Sequence, residues 1–445
     1  MVTGAAMRGR DVRGRHLHLR PEKDRALLIV DGVRVIVLNR EAAAIADLLL
    51  RGHDASSVER EILGMAGRAD PKVVRDDVLA LETMLDRLAA GEEPCRALPA
   101  FSMIDCDEVL HPSAPFRADL ALTYGCPNDC RHCYSASQPR TPELTPARWE
   151  AIISRLAEAG IPYVCFTGGE PTTYGGLPGL VRFASDLGLV TGLLTCGRRL
   201  SQRSYAEALA AEGLDYVQVT LESCAEDVHD RMVGRRAWGE TVEGIRISVG
   251  LGLTVVTNTT LTPATIATAA DTAAFCASLG VSTVAANALI PTGRAREAGM
   301  ASVGADRLFG IIEQMSQEAR AGGARFMWYS PTPWCLFNPM ALDLGLKHCS
   351  AASGSVAVDP SGMALPCQSF FVSAGDVLAT PWDGIWNGPL FSRVRAWRSK
   401  SFACGDCPDG DICRGGCPLE ERLDVELADL AARGRLEGTH DLAHP

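Results

Sequence analysis

The sequence predicts an α/β protein: a partial barrel of six strand–helix repeats, (βα)6, with a small winged-helix-like module before it and a cysteine-rich domain after it. Three observations predict this. Strand and helix patterns alternate between residues 115 and 325, which implies a parallel sheet with right-handed crossovers. Two β-rich runs and three amphipathic helical runs fill residues 16–92, and cysteines at short spacings populate residues 335–417. The expected organisation is a module at 16–92, a linker at 93–114 marked by Pro94, Pro99 and Pro112, the barrel at 115–325, the cysteine domain at 326–425 and a tail at 426–445.

Composition bounds the possibilities. With 445 residues and 47% hydrophobic content the chain can bury two or three cores. No apolar run approaches the roughly 18 residues of a membrane span, and the basic N-terminus lacks the apolar stretch of a signal peptide, so a cytoplasmic protein is expected. A net charge of -11 argues against nucleic acid as the main partner. Sixteen cysteines, clustered in such a chain, favour metal ligation over disulfides.

In the module, Ala26 to Leu38 reads as two strands joined at Asp31-Gly32, a pair suited to a type I′ turn. Asn39 can cap a helix from Arg40 to Arg51, Ser56 with Glu59 offers a capping box for the next, and Asp70-Pro71 opens a third that runs to about Ala90. Its stripe is Val73, Val74, Val78, Leu79, Leu81, Met84, Leu85 and Leu88. Only His18 and the arginines of residues 8–20 could give it a basic face for DNA.

In the barrel the expected strands are Ala118–Leu122, Tyr163–Phe166, Val190–Thr195, Tyr216–Leu221, Thr254–Thr260 and Thr283–Leu289, with Thr145-Pro146 opening a helix. The loop after the first strand carries Cys126, Cys130 and Cys133 in a C-x3-C-x2-C spacing. Three thiolates this close can hold three irons of a 4Fe-4S cube and leave the fourth open, at the strand end where α/β folds place their chemistry. Zinc is the weaker alternative, because no fourth ligand follows until Cys165. The next strand ends in Gly168-Gly169-Glu170-Pro171, where paired glycines permit close backbone approach and Glu170 can accept from an ammonium group.

The cysteine spacing, Tyr134 after it and the GGEP segment together resemble the radical S-adenosylmethionine (SAM) superfamily, whose barrel is TIM-like. The resemblance implies that Cys126, Cys130 and Cys133 hold the cluster, that its open iron binds SAM, and that Gly168, Gly169 and Glu170 meet the SAM amino group. Thr195-Cys196-Gly197 stands where relatives often show Thr-Asn-Gly. Gln218-Val219-Thr220-Leu221-Glu222-Ser223 resembles the Q-x-S-L-D-G of the peptide-modifying branch with three replacements. Thr195, Gln218, Thr220 and Glu222 are therefore expected cofactor contacts, and so, by the same resemblance, are Asn258 at the end of the fifth strand and Leu289 after the sixth, positions that flank the adenosine in relatives.

Downstream, Cys349, Gly362-x4-Cys367 and Cys404-x2-Cys407-x5-Cys413-x3-Cys417 follow one another. The last run alone could be a zinc ribbon. Behind Asp383-Gly384-Ile385-Trp386-Asn387 it resembles the SPASM extension, which implies one or two auxiliary 4Fe-4S clusters: Cys349, Cys367 and Cys417 for the first, Cys404, Cys407 and Cys413 for the second. The family's final cysteine is absent, and Cys335 is near enough in sequence to complete the first. Cys95, Cys106, Cys165, Cys196, Cys224 and Cys276 read as apolar fillers or bystanders.

Residues 16–92 resemble the leader-peptide recognition element of pathways for ribosomally made, post-translationally modified peptides. Combined, the resemblances imply a peptide maturase that cleaves SAM to a 5′-deoxyadenosyl radical and forms a thioether or a carbon–carbon or carbon–oxygen crosslink on a precursor peptide. An electron donor of the flavodoxin or ferredoxin type is implied too. The alternatives are a SPASM oxidase of a small molecule or another protein, or a noncatalytic iron–sulfur or zinc scaffold. No catalytic acid or base is assigned.

Overall fold

The computed structural model describes residues 8–12, 15–23, 25–31, 34–67, 69–90, 112–136, 138, 142–345, 347–401, 404 and 406–433. The chain packs as two compact units. The first comprises Met1–Ala118, Glu150–Val164 and Phe183–Val190, and the second Asp119–Trp149, Cys165–Arg182 and Thr191–Pro445. Cys95, Cys106, Pro94 and Pro99 lie outside the described residues.

The first unit is built on an antiparallel sheet of β1 (Arg8–Val12), β2 (Arg15–Pro21), β3 (Ala26–Val30) and β4 (Arg34–Leu38), in that order. The β3–β4 hairpin forms where the sequence places it. Its register pairs Val30 with Arg34, so three residues intervene, one more than a two-residue turn; residues 32 and 33 lie outside the described residues. Strands β1 and β2 add to the expected hairpin. Alternation sorts the side chains: Leu28, Val30, Ile36 and Leu38 join the helices in the main core, while Leu27, Ile29 and Val37 pack with Val35 and Phe116 on the other face.

Three helices complete the module: α1 (Arg40–Leu50), α2 (Ala55–Ala66) and α3 (Pro71–Ala89). Asn39 caps α1 by accepting from the Ala42 N–H at 2.8 Å, and Asp70 caps α3 through the Lys72 N–H. The cap of α2 is Asp54 and not Ser56. Asp54 has the extended backbone a cap needs and accepts from the Ser57 N–H at 2.9 Å, while Glu59 pairs with Arg75 at 2.8 Å. On α3, Val74, Val78, Leu81, Met84, Leu85 and Leu88 are buried, whereas Val73 and Leu79 are 54% and 47% exposed. His18 and Arg20 are buried, so they form no basic face. Arg20 donates to the carbonyls of Ala114, Pro115 and Gly160, and the His18 ring nitrogen Nε2 lies 2.7 Å from the Gly188 carbonyl.

The barrel strands are β5 (Arg117–Thr123), β6 (Tyr163–Gly168), β7 (Val190–Thr195), β8 (Tyr216–Thr220), β9 (Thr254–Leu261) and β10 (Thr283–Ala288), within two residues of their expected bounds. A seventh, β11 (Arg325–Trp328), pairs parallel with β10 just past the expected end of the barrel. Two short strands from the cysteine domain, β12 (Ser355–Val358) and β13 (Ala364–Leu365), extend the opposite end. The sheet order is β11-β10-β9-β8-β7-β6-β5-β12-β13, with edges at both ends, so the barrel is open. Helices α4 (Pro146–Glu158), α5 (Leu177–Asp186), α6 (Arg203–Ala211), α7 (Glu226–Val233), α8 (Trp238–Gly250) and α9 (Ala269–Ser278) provide the crossovers. Because every crossover returns the chain to the same direction, the loops after β5 to β10 share one rim. The described part of the C-terminal region ends in a helix, Leu423–Ala432, that overlaps the expected tail.

Candidate active site

The three cysteines of residues 126–133 sit on the loop after β5, partly buried, and none is in a disulfide. This loop has little regular structure, so other strand ends hold it. Gly169 and Glu170 donate backbone N–H groups to the Thr123 and Gly125 carbonyls at 2.7 and 2.8 Å. Asp129 and Arg131 donate to Val233 and Met232 at the end of α7, and Arg294 donates its backbone N–H to the Cys133 carbonyl. Arg294 also reaches the Cys130 carbonyl and pairs with Asp129.

Glycines make this closeness possible. A Cβ on Gly168, whose φ is +127°, would stand 2.2 Å from the Thr123 carbonyl oxygen, and one on Gly169 would stand 2.4 Å from that of Gly125. The backbone they let in is that of the cysteine loop itself. Tyr134 closes the arrangement: its hydroxyl donates to the Gly168 carbonyl at 3.0 Å and lies 3.5 Å from the side chain of Gln368, the neighbour of Cys367.

Glu170 is buried and already oriented. One carboxylate oxygen accepts from the Thr172 N–H and hydroxyl and from the Thr195 hydroxyl at 2.7 Å; the other accepts from the Cys196 N–H at 2.7 Å. Thr195, expected at the cofactor, thus positions Glu170. Cys196, read as a bystander, belongs to the same cluster, and burial and the Glu170 charge push its thiol well up. Its position one residue beyond Thr195 was the available signal.

Glu222 has partners on two elements. Fully buried, it pairs with Nε2 of His132 at 3.0 Å and accepts from the Thr260 N–H at 2.9 Å. Burial opposes both charges, yet each stabilises the other: His132 is raised above the usual histidine range, and Glu222 is lowered. His132 lies between Cys130 and Cys133, so this pair fastens the middle of the cysteine loop to the end of β8. Spacing alone carries no sign of it, since His132 is simply one of the variable positions between Cys130 and Cys133.

The remaining expected contacts lie along the same rim. Gln218 accepts from the Tyr216 hydroxyl, Thr220 ends β8, and Leu289 is buried after β10. Asn258 donates to Asn287 at 2.8 Å, while its own side-chain oxygen is buried with no hydrogen-bond partner. Such an orphaned acceptor suits a ligand that carries donors.

In the cysteine domain two sets emerge. Cys367 is pushed up to about 12 by burial and by Cys349, and Cys417 is pushed well up by burial and then by Cys349 and Cys367. Beside Cys349 lies Arg414, buried and with an unpartnered Nε, a cation suited to an anionic cluster. The second set holds Cys404, Cys407 and Cys413. The segment that carries Cys335 reaches this set: the Trp334 N–H donates to the Cys413 sulfur at 3.3 Å. Among the described residues no three His, Cys, Asp or Glu groups converge closely enough for a single metal ion. Thiols in separate groups of three or four suit a cube, which takes one thiolate at each iron corner.

Comparison with known proteins agrees with this chemistry. Residues 120–276 match the Radical SAM superfamily and residues 349–408 match an iron-sulfur cluster-binding domain, so the chain carries a radical SAM domain joined to an iron–sulfur cluster domain. Among individual proteins, it is 26% identical to an AdoMet-dependent heme synthase of Methanosarcina barkeri over 321 residues, 68% of this chain and 91% of the relative. It is 28% identical to a PqqA peptide cyclase of Bradyrhizobium diazoefficiens over 320 residues, 68% of this chain and 81% of the relative. The fold resembles that of Streptococcus suis SuiB, solved bound to its precursor peptide SuiA, with a TM-score of 0.67 at 16% identity over 95% of this chain and 97% of that one. No helix among the described residues is long and apolar enough to cross a membrane.

Proposed function

We propose that this protein is a radical SAM maturase that crosslinks side chains of a ribosomally made precursor peptide, forming a thioether or a carbon–carbon or carbon–oxygen bond. Cys126, Cys130 and Cys133 would hold the 4Fe-4S cluster, with SAM along the rim from Gly169 to Asn258. Bound there, cluster and SAM supply the one-electron chemistry that removes hydrogen from an unactivated carbon. The chain's own contribution is placement: Thr195 and Cys196 aim Glu170, and the glycines and the His132–Glu222 pair hold the loop still. Residues 16–92 would act as the leader-binding module, 115–325 as the barrel and 326–425 as the auxiliary-cluster domain, supplied by a flavodoxin- or ferredoxin-type donor.

One observation carries the peptide reading. The first unit presents an open edge at β4, the last strand of its sheet among the described residues, together with exposed Val73 and Leu79 on α3. An extended leader could add a strand there and set apolar side chains against the helix. SuiB, whose likeness spans this module too, has been solved with its precursor peptide, and PqqA peptide cyclase is a relative by sequence. The heme synthase favours a second reading, oxidation of a small molecule; its match and that of the PqqA cyclase each cover 68% of this chain, whereas the SuiB likeness covers 95%.

The test is anaerobic incubation with SAM, dithionite and a synthetic peptide encoded by a short reading frame beside the gene. A mass loss equal to one pair of hydrogens is expected, and Val73→Asp with Leu79→Asp should weaken peptide binding at least tenfold while SAM cleavage persists. Unchanged affinity would remove the leader-binding assignment.

A further inference from the structure

We propose that Cys335 is the fourth thiolate of the second auxiliary site, which Cys404, Cys407 and Cys413 begin, so that this site is complete within the chain while Cys349, Cys367 and Cys417 supply three thiolates to the first. The inference depends on the iron–sulfur domain and not on the identity of the substrate.

Packing carries the assignment. The segment before Cys335 lies directly on the turn that follows Cys413: a Cβ on Gly416, whose φ is +103°, would stand 3.0 Å from the Pro333 ring. The Trp334 N–H donates to the Cys413 sulfur, and the Trp334 indole is anchored independently by the Lys347 carbonyl at 2.9 Å. Across the same turn, a Cβ on Gly415 would stand 2.9 Å from the Cys404 sulfur. Tight turns keep the other thiols together: Cys407 donates its N–H to the Cys404 carbonyl, Gly410 to that of Cys407, and Cys413 to that of Asp409.

The chemistry is simple ligation. Each thiol gives up its proton and the thiolate binds one iron corner, with no change in oxidation state. A cysteine upstream of the Cys404–Cys417 run thereby takes the place of the one that the usual pattern supplies downstream of it. Cys335 and Cys407 are exposed, so the completed site would lie at the surface.

The experiment uses the full chain with Cys126, Cys130 and Cys133 replaced by alanine, so that only the auxiliary sites bind iron. After anaerobic reconstitution this chain should hold about eight irons, as two cubes. Adding Cys335→Ala should cut the count to about four, or convert one cluster to a three-iron form visible by electron paramagnetic resonance. The same substitution in a chain already lacking Cys404, Cys407 and Cys413 should change nothing. Loss of iron in that second background, or unaltered iron and spectra in the first, overturns the assignment. If Cys335→Ala fails to fold by circular dichroism, Cys335→Ser decides: a shifted midpoint potential of one auxiliary cluster supports the ligand role, and an unchanged one refutes it.

Discussion

His132 and Glu222 form a buried ion pair, Nε2 to Oε1 at 3.0 Å, that joins the middle of the cysteine loop to the end of β8. Glu222 is fully buried and also accepts from the Thr260 N–H, so its charge has partners on two elements. Removing one member of such a pair strands the other, which costs about 3–5 kcal/mol, far more than the pair itself contributes. Glu222→Ala should therefore lower the melting temperature and the iron bound by Cys126, Cys130 and Cys133. Glu222→Gln, which can still accept from Thr260, should recover part of both; equal losses in the two variants would show that the pair does not hold the loop.

The glycines at the rim make a second prediction. A Cβ on Gly169 would meet the Gly125 carbonyl oxygen at 2.4 Å, and one on Gly293 would meet the Cys133 carbonyl oxygen at 2.4 Å. Both neighbours are backbone and cannot swing away, so the loop must shift at a cost of about 1–3 kcal/mol. Gly169→Ala and Gly293→Ala should each reduce 5′-deoxyadenosine formation at least tenfold. Gly239, with open space around its Cβ position, is the control that should tolerate alanine.

Replacing Cys126, Cys130 and Cys133 together should abolish 5′-deoxyadenosine production and lower bound iron from about twelve to about eight per chain. Retained nucleoside formation would sink the radical SAM mechanism for this chain.

The first unit should respond to acid through His18. Burial holds its imidazole down at about 4 despite the Gly188 carbonyl, against about 6.5 in an unfolded chain. The unfolded state takes up the proton first, so stability falls as pH drops from about 6.5 towards 4 and levels below that. The total is on the order of 3 kcal/mol. Hydrogen exchange of the β2 and β3 amides, corrected for intrinsic rates, should show protection falling between pH 7 and 5. His18→Gln, which can still donate to Gly188, should flatten that dependence; a slope equal to wild type would assign it elsewhere.

Local patterns along the chain specify the elements and the residues that carry the chemistry. Strand bounds for β5 to β10, the Asn39 and Asp70 caps, and the cysteine loop followed by Gly168-Gly169-Glu170 could all be read from contiguous residues, because alternation, capping and turn preference act over a few positions. Even there, Asp54 displaced Ser56 as a cap, since both are good cap residues and the path of the preceding chain chose between them. Which distant residues share a site emerges only from the packing of the folded chain. Folding set Glu222 on His132, Thr195 and Cys196 on Glu170, and Trp334 on Cys413. These partnerships depend on how strand ends and turns converge, and sequence spacing alone carries no information about that convergence.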